Sequence, residues 1–457
     1  MSDITSEETL TGTRRNLKIG TTAGSLIWNS LRSSIGFTGD RDRQAQALKE
    51  ALGSLRGPMV KFAQLLASIP ELLPPEYARE LSELQSNAPP MGRPFVKRRM
   101  ANELGQGWRK RFAEFDLEPA AAASLGQVHR ATLHDGRDVA CKLQYPSMHE
   151  TVESDLKQAG WMMAMFERYE GSIRTGRIVD ELKARILEEL DYTLEYKRMA
   201  MYREILDGET TVHVPQPIAD LSTDRLLTAE WLHGKPISAA FDLDAYDQQT
   251  RNEIAINVFN LWYRPLYDYA VIHGDPHFGN YTIRDDNSVN LLDFGCVRVF
   301  PATFVEGVIR LYEALRDDDQ EKAAYAYRCW GFGELTHGLM DVLNEWARFV
   351  YAPLLDDSDR PIGHREHVSE GRTRLSEVRK KLSEAGGIEL PSEFVFMDRA
   401  SVGLGALALR LDARVNWHRM FNAMIEDFDR ETVEQRQADL LARHGHPAVD
   451  ASQRNLV

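Results

Sequence analysis

The sequence has little cysteine, no long apolar run and no surplus of positive charge, and each shortage removes a class of protein. Its three cysteines, Cys141, Cys296 and Cys329, are too few and too scattered for a disulfide framework or a zinc site. They read as reduced core thiols. No segment offers the ~20 consecutive apolar residues of a membrane helix. The nearest stretches, 258–272 and 402–411, are broken by Arg264, Asp268 and Arg410. The opening MSDITSEETL is polar and acidic, without the apolar stretch of a secretory leader. Lys and Arg number 55 against 69 Asp and Glu, a net charge of −14. That balance argues against bulk nucleic-acid binding, which needs basic surface to release counterions. It leaves room for an anionic phosphate held by a few focused cations and a metal. The expectation is a cytoplasmic protein with at most peripheral contact at the inner membrane surface.

What is present is an ordinary globular composition, 43% hydrophobic and 27% charged over 457 residues. At roughly 150 residues per domain this suits about three domains or one large bilobal unit. Helical patterns run over 21–56, 56–90 and 93–117, with Pro74-Pro75 ending one helix and starting the next. The character then changes. VHRATL and DVACKLQ read as strands joined through His134-Asp135-Gly136-Arg137, a hairpin signal. Long amphipathic helices are expected over 150–207. VHVPQPI and RLLTAEWL read as strands, and 242–271 as helix. VIHGD, NYTIR and VNLLDFG read as short strands and loops. From Phe304 onward the pattern is helical except over 355–372. The fold expected is α+β, with a small β-rich lobe followed by a larger helical one.

The segment HGDPHFGNYTIRDDNSVNLLDFG (273–295) carries the most chemistry. Asp275 and Asn280 stand five residues apart, and Asp293 ends an apolar run. Two carboxylates and an amide are hard oxygen donors suited to Mg²⁺. In phosphoryl transfer the first Asp orients or deprotonates an attacking hydroxyl, while the Asn and second Asp hold metal. Asp275 and Asn280 keep the kinase catalytic-loop spacing, and Asp293-Phe294-Gly295 supplies the DFG element. Lys142, on an apolar strand, suits a ligand of α- and β-phosphates. Where a kinase has glycines, this chain has Ala121, Ala122, Ala123 and Ser124 before Gly126. Each added Cβ keeps the backbone from closing tightly on phosphates, so the triphosphate pose should differ. Glu189, Asp191 and Glu195 are candidate partners for Lys142. Backbone groups around Glu230–Leu232 suit adenine pairing at an interlobe hinge.

Together AAASLGQVH, CKLQYP, ELDYTLE, LTAEWLHG, HGDPHFGN, LLDFG and the preface RGPMVKFAQLLA…LLPPEY resemble the UbiB family, the AarF-domain (ADCK-type) atypical kinases, over roughly 50–440. The resemblance implies a protein-kinase-like bilobal fold with a family-specific N-terminal helical extension and a helical C-terminal tail. It divides the chain into a tail and helix (1–50), the extension (51–117), a small lobe with inserted helices (118–235) and a helical large lobe (236–457). The family's Lys-x-Gly-Gln motif reads here Lys61-Phe62-Ala63-Gln64, so by resemblance Lys61 and Gln64 cover the cleft and hinder protein substrates. The family's Glu-x-Asp element falls on Glu189-Leu190-Asp191 and makes Glu189 the partner of Lys142. The family also implies ATP and Mg²⁺ as ligands, slow ATPase activity, and a role in ubiquinone (prenyl-quinone) biosynthesis or lipid homeostasis. A prenyl-quinone precursor or a lipid is then a partner beside the nucleotide. Two alternatives stay open: a small-molecule phosphotransferase of the aminoglycoside or choline kinase type, whose catalytic loop HGDPHFGN also resembles, and a non-catalytic nucleotide-gated lipid-binding module.

Overall fold

The computed structural model describes residues 91–123, 125–145, 148, 186–333, 335–362 and 392–449. Lys61, Gln64 and Ser124 lie outside the described residues. The chain divides into two compact units, one of residues 1–99, 116–129 and 142–190, the other of 100–115, 130–141 and 191–457. The strands of a five-stranded sheet are β1 (Glu114–Phe115), β2 (Ala121–Ala123), β3 (Gly126–Thr132), β4 (Asp138–Gln144) and β6 (Leu226–Glu230). Their order is β1-β3-β4-β6, with β2 on β3. Asp135-Gly136 turns the chain between β3 and β4 as its sequence predicts. Gly136 sits at φ 88°, where a side chain would be strained, and Leu133 N–H bonds to the Arg137 carbonyl at 2.8 Å. Along β4 the alternation buries Val139, Cys141 and Leu143 and leaves Ala140 and Lys142 half-buried on the other face.

The run of alanines is not an open loop. Ala121–Ala123 form β2, paired antiparallel with Gly126–Val128 in the register Ala121↔Val128 and Ala123↔Gly126. Alanine adopts extended backbone without strain, so these residues need none of the freedom of glycine. Another departure is Glu114–Phe115, where the sequence reads as helix. Helix α1 (Arg93–Leu104) stops at Gly105, at φ 84°, and the chain re-enters as β1 because Phe115 packs edge-on to Trp108 and Phe112 at 5.0 and 5.4 Å. In VHVPQPI, β5 (Val212–His213) is strand and Pro217 makes an isolated antiparallel bridge to Ala229, the prolines lacking the N–H groups to extend it into a ladder.

The larger unit is built on α2 (Tyr192–Ile205) and α3 (Gln248–Tyr269), followed by α4 (Ala302–Asp317), α5 (Gln320–Cys329), α6 (His337–Leu355), α7 (Ser392–Arg410), α8 (Trp417–Ile425) and α9 (Arg430–Arg443). Asp191, Asp247, Asp319, Thr336, Asn416 and Asp429 each accept a backbone N–H at the start of α2, α3, α5, α6, α8 and α9. A second sheet has the order β5-β10-β9-β7, with β7 (Lys235–Pro236), β9 (Tyr281–Ile283) and β10 (Val289–Leu291). β8 (Val271–His273) pairs antiparallel with β11 (Val297–Val299), and β12 (Arg360–Pro361) with β13 (Arg414–Val415). Pairings of two or three residues are too short to leave an alternation in the sequence, which is why β7, β11, β12 and β13 are not foreseen there. One apolar core runs from Tyr202 and Trp262 through Ile272, Phe294 and Leu311 to Trp417.

A candidate active site on two short strands

The register Val297↔His273 brings the loops 274–280 and 292–296 out of the same end of one two-stranded ladder. Contact there is backbone-close. Gly274 N–H bonds to the Cys296 carbonyl at 2.6 Å, and a Cβ on Gly274 would stand 2.8 Å from Cys296 Sγ. A side chain at that position would force the loops apart. The glycine of His-Gly-Asp is therefore set by this close approach.

His273 ties the two loops. Its ring is fully buried, and Nε2–H donates to the Asp293 carbonyl at 2.8 Å. Tyr202, Trp262 and Phe294 meet it edge-on, with centroids 6.2, 5.5 and 6.2 Å away. Burial lowers its pKa, so the imidazole is neutral and acts as a fixed donor. Asn280 Nδ2 donates to Asp275 Oδ2 at 3.1 Å and to the Asp275 carbonyl at 3.3 Å, closing the loop on itself. The short 3₁₀ turn 278–280 is held by His277, whose Nδ1 accepts Gly279 N–H at 3.1 Å and whose carbonyl accepts Asn280 N–H at 3.0 Å. Asp293 Oδ1 accepts Gly295 N–H at 3.0 Å, and buried Arg198 of α2 donates to the Gly295 carbonyl at 2.8 Å.

This set fits a magnesium ion. Asp293 presents a half-buried carboxylate. The Asn280 nitrogen is spent on Asp275, which leaves the amide oxygen as that side chain's ligand atom. Among the described residues no three His, Cys, Asp or Glu side chains cluster as a closed metal cage. Mg²⁺ takes hard oxygen donors such as a carboxylate and an amide oxygen, and keeps waters and substrate phosphate oxygens in its shell.

The other expected residues fall as follows. Lys142 lies half-buried on β4. Two positions along that strand, Gln144 Nε2 donates to the Leu190 carbonyl at 2.9 Å, which brings the Glu189-Leu190 peptide to the end of β4. Glu189 is half-buried beside it. Asp191 is committed elsewhere, its carboxylate capping α2 through Thr193 N–H at 3.0 Å and Leu194 N–H at 3.1 Å. Glu195 is buried within α2. Ala121 and Ala122 are exposed on β2. At the end of β6, Glu230 N–H already bonds to the Gln216 carbonyl and Trp231 N–H to the Asp138 carbonyl, each at 2.9 Å. A cavity of about 260 Å³ is lined by Arg203, His213, Glu230, Leu232 and Arg284, and none of Asp275, Asn280 or Asp293 borders it.

Sequence reasoning misses Arg198, Tyr202 and Trp262, which brace the loops from α2 and α3. Their types carry no motif; only the packing assigns them. Gly274 alone had a readable signal, a glycine inside the catalytic motif.

Residues 83–327 match the family model described as the ABC1 atypical kinase-like domain. The chain is 30% identical over 296 residues to the zebrafish (Danio rerio) atypical kinase COQ8B, mitochondrial, covering 63% of this chain and 47% of that protein. It is 27% identical over 388 residues to the Saccharomyces cerevisiae atypical kinase COQ8, mitochondrial, covering 83% and 76%. It spans about half the length of the zebrafish protein and of relatives from Dictyostelium discoideum and Caenorhabditis elegans. The solved complex of Rv3197 with erythromycin, from Mycobacterium tuberculosis, shares the fold with a TM-score of 0.60 at 24% identity, over 86% of this chain and 97% of that one. With more than half of its length in that match and with the kinase-like loops in place, the chain belongs to the ABC1 atypical kinase-like family, the UbiB or AarF-domain proteins.

Proposed function

We propose that this protein binds ATP with Mg²⁺ and hydrolyses or transfers the γ-phosphoryl group in support of prenyl-quinone (ubiquinone) biosynthesis or lipid homeostasis. The observation that carries this reading is the Asp275–Asn280 pair, locked to the Asp293 turn by a neutral buried His273. Asp275 orients or deprotonates the attacking water or hydroxyl. Its carboxylate is held by Asn280 in one direction, so the acceptor meets a preset base. Asn280 and Asp293 would hold the magnesium ion, which when bound neutralises charge on the phosphates. Lys142 takes α- and β-phosphate oxygens, with Glu189 fixing its ammonium. Leu232 and the Glu230 carbonyl face the adenine. Ala121, Ala122 and Ala123 stand over the phosphates; the resemblance gives Ser124 the same role and Lys61 and Gln64 that of hindering protein substrates, and these three lie outside the described residues. The names of the COQ8 relatives support the kinase-like part of this reading, and their mitochondrial designation agrees with an organelle or membrane-linked pathway. Among the described residues no helix is long and apolar enough to cross a membrane, so contact with a lipid precursor would be at a surface.

The test is ADP release by purified protein with Mg-ATP, with and without liposomes and a ubiquinone-precursor analogue. Asp293→Asn should lower turnover by roughly 100-fold or more, as loss of a charge-stabilising group does. Turnover that survives the substitution overturns the reading. A second reading, a small-molecule phosphotransferase, is favoured by HGDPHFGN and by the erythromycin bound in the solved neighbour. A hydroxyl compound of that size that accelerates ADP release with stoichiometric phosphorylation would decide for it.

A further inference from the structure

The proposed chemistry needs Asp275 held still. The next residue, Pro276, lies against α7, far along the chain. A Cβ built on Gly403 would stand 2.1 Å from Pro276 Cγ and 2.4 Å from its Cβ. Real side chains do not come so close, so the helix backbone at Gly403 is itself the surface on which Pro276 rests. A proline ring cannot swing away as the end of a long side chain can. α7 is also fixed on its other sides. Leu404, Leu407 and Ala408 are buried, and the helix packs against α3. At the end of the same helix, the Arg410 guanidinium lies 5.2 Å from the Phe278 ring and 5.6 Å from the Phe241 ring. Phe278 and Phe241 meet edge-on at 5.2 Å. One helix therefore touches the catalytic loop on both sides of His277, at Pro276 through bare backbone and at Phe278 through a cation.

We propose that α7 is the backstop of the catalytic loop, with Gly403 as a positioning residue that sets where Asp275 stands. The claim deepens the function proposed above and rests on it for its kinetic test alone. Because Asn280 closes the loop on Asp275, a push at Pro276 moves the carboxylate rather than being absorbed. Gly405, two residues on, has nothing within 4 Å of an added Cβ and is the internal control.

The experiment compares Gly403→Ala, Gly405→Ala and Arg410→Gln in the full chain, each first confirmed as folded by circular dichroism. Gly403→Ala should lower kcat by roughly 10- to 100-fold with little change in KM for ATP, since small misplacements cost that much in rate. Gly405→Ala should match the parent, and Arg410→Gln should lower kcat a few-fold. In a Pro276→Gly background, where the ring is gone, adding Gly403→Ala should have no further effect. An equal fall of kcat in both backgrounds, or no fall in either, overturns the proposal. Hydrogen–deuterium exchange of peptides covering 273–282 reads the same contact without turnover. Faster exchange in Gly403→Ala but not in Gly405→Ala is the expected result. Unchanged exchange overturns the backstop even if the parent hydrolyses ATP. Faster exchange with a parent that lacks all turnover overturns the proposed activity and leaves the backstop standing. If Gly403→Ala does not fold, Arg410→Gln carries both readouts.

Discussion

Two buried histidines, one in each unit, do the same physical work in opposite surroundings. His273, in the larger unit, sits in an aromatic cage and donates to the Asp293 carbonyl. His129, on β3 in the smaller unit, sits in a polar relay. Its Nδ1–H donates to the Asp116 carbonyl at 2.9 Å, so its Nε2 accepts from the Gln127 amide at 2.8 Å. Gln127 in turn donates to the Met91 carbonyl at 3.2 Å and accepts Met91 N–H at 2.8 Å. Both rings are fully buried, and burial lowers both pKa values. The difference lies in what the neutral ring supports. His273 joins two loops that carry chemistry, and its support is packing. His129 orients an amide that clamps the chain at Met91, within the expected extension, and its support is hydrogen bonding. A caged ring fails by leaving a cavity, a relay by leaving unpaired donors.

The comparison breaks first at His273. His273→Ala should destabilise the protein by roughly 3–5 kcal/mol, through an aromatic-sized cavity and an orphaned Asp293 carbonyl. His273→Phe should recover the packing part but not the bond. Chemical denaturation of both variants checks this, and equal losses would mean that the cage contributes nothing. Next comes Gln127→Ala, which strands Met91 N–H, the Met91 carbonyl and His129 Nε2. It should cost roughly 1–3 kcal/mol, and amide exchange should rise at Met91 before it rises in β8. Uniform exchange across both units would show that the relay clamps nothing local.

The smallest effect is on pH dependence. A histidine whose folded pKa lies below its unfolded value of about 6.5 binds more protons when unfolded. Its contribution is constant above that value and falls as pH drops below it towards the folded pKa. The melting temperature should therefore decline between pH 7 and pH 5.5. His213 and His446 are shifted in the same direction, by burial first, so the share of the caged ring is read from His273→Phe. That variant should show a shallower decline than the parent; an identical slope would mean that His273 does not titrate in this window.

Much of the site was legible because phosphoryl chemistry demands particular atoms at particular spacings. Asp275, Asn280 and Asp293 are brought into neighbouring loops as their spacing implied, and the β3–β4 hairpin follows from Asp135-Gly136. The acid proposed as the partner of Lys142 was only half legible. Three carboxylates stood on one stretch of chain, and it took the N-cap geometry to remove Asp191 from the choice. The edge proposed for adenine was less legible still, because the Glu230 and Trp231 N–H groups are used by the Gln216 and Asp138 carbonyls. Glycines divide in the same way. Gly274 stands inside a motif and invites a reason; Gly403 lies in an apolar helix pattern where nothing marks it.

By itself the sequence determined the donor set and the class of fold, since ligand atoms, turn residues and apolar periodicity are local properties of the chain. The tertiary structure decided which of those groups are spent and which stay available. Several of those outcomes depend on segments apart in the chain, from Glu230 on Gln216 and Trp231 on Asp138 to Pro276 on Gly403. Close approach and hydrogen-bond partnership arise only when such segments pack, and no local pattern encodes them.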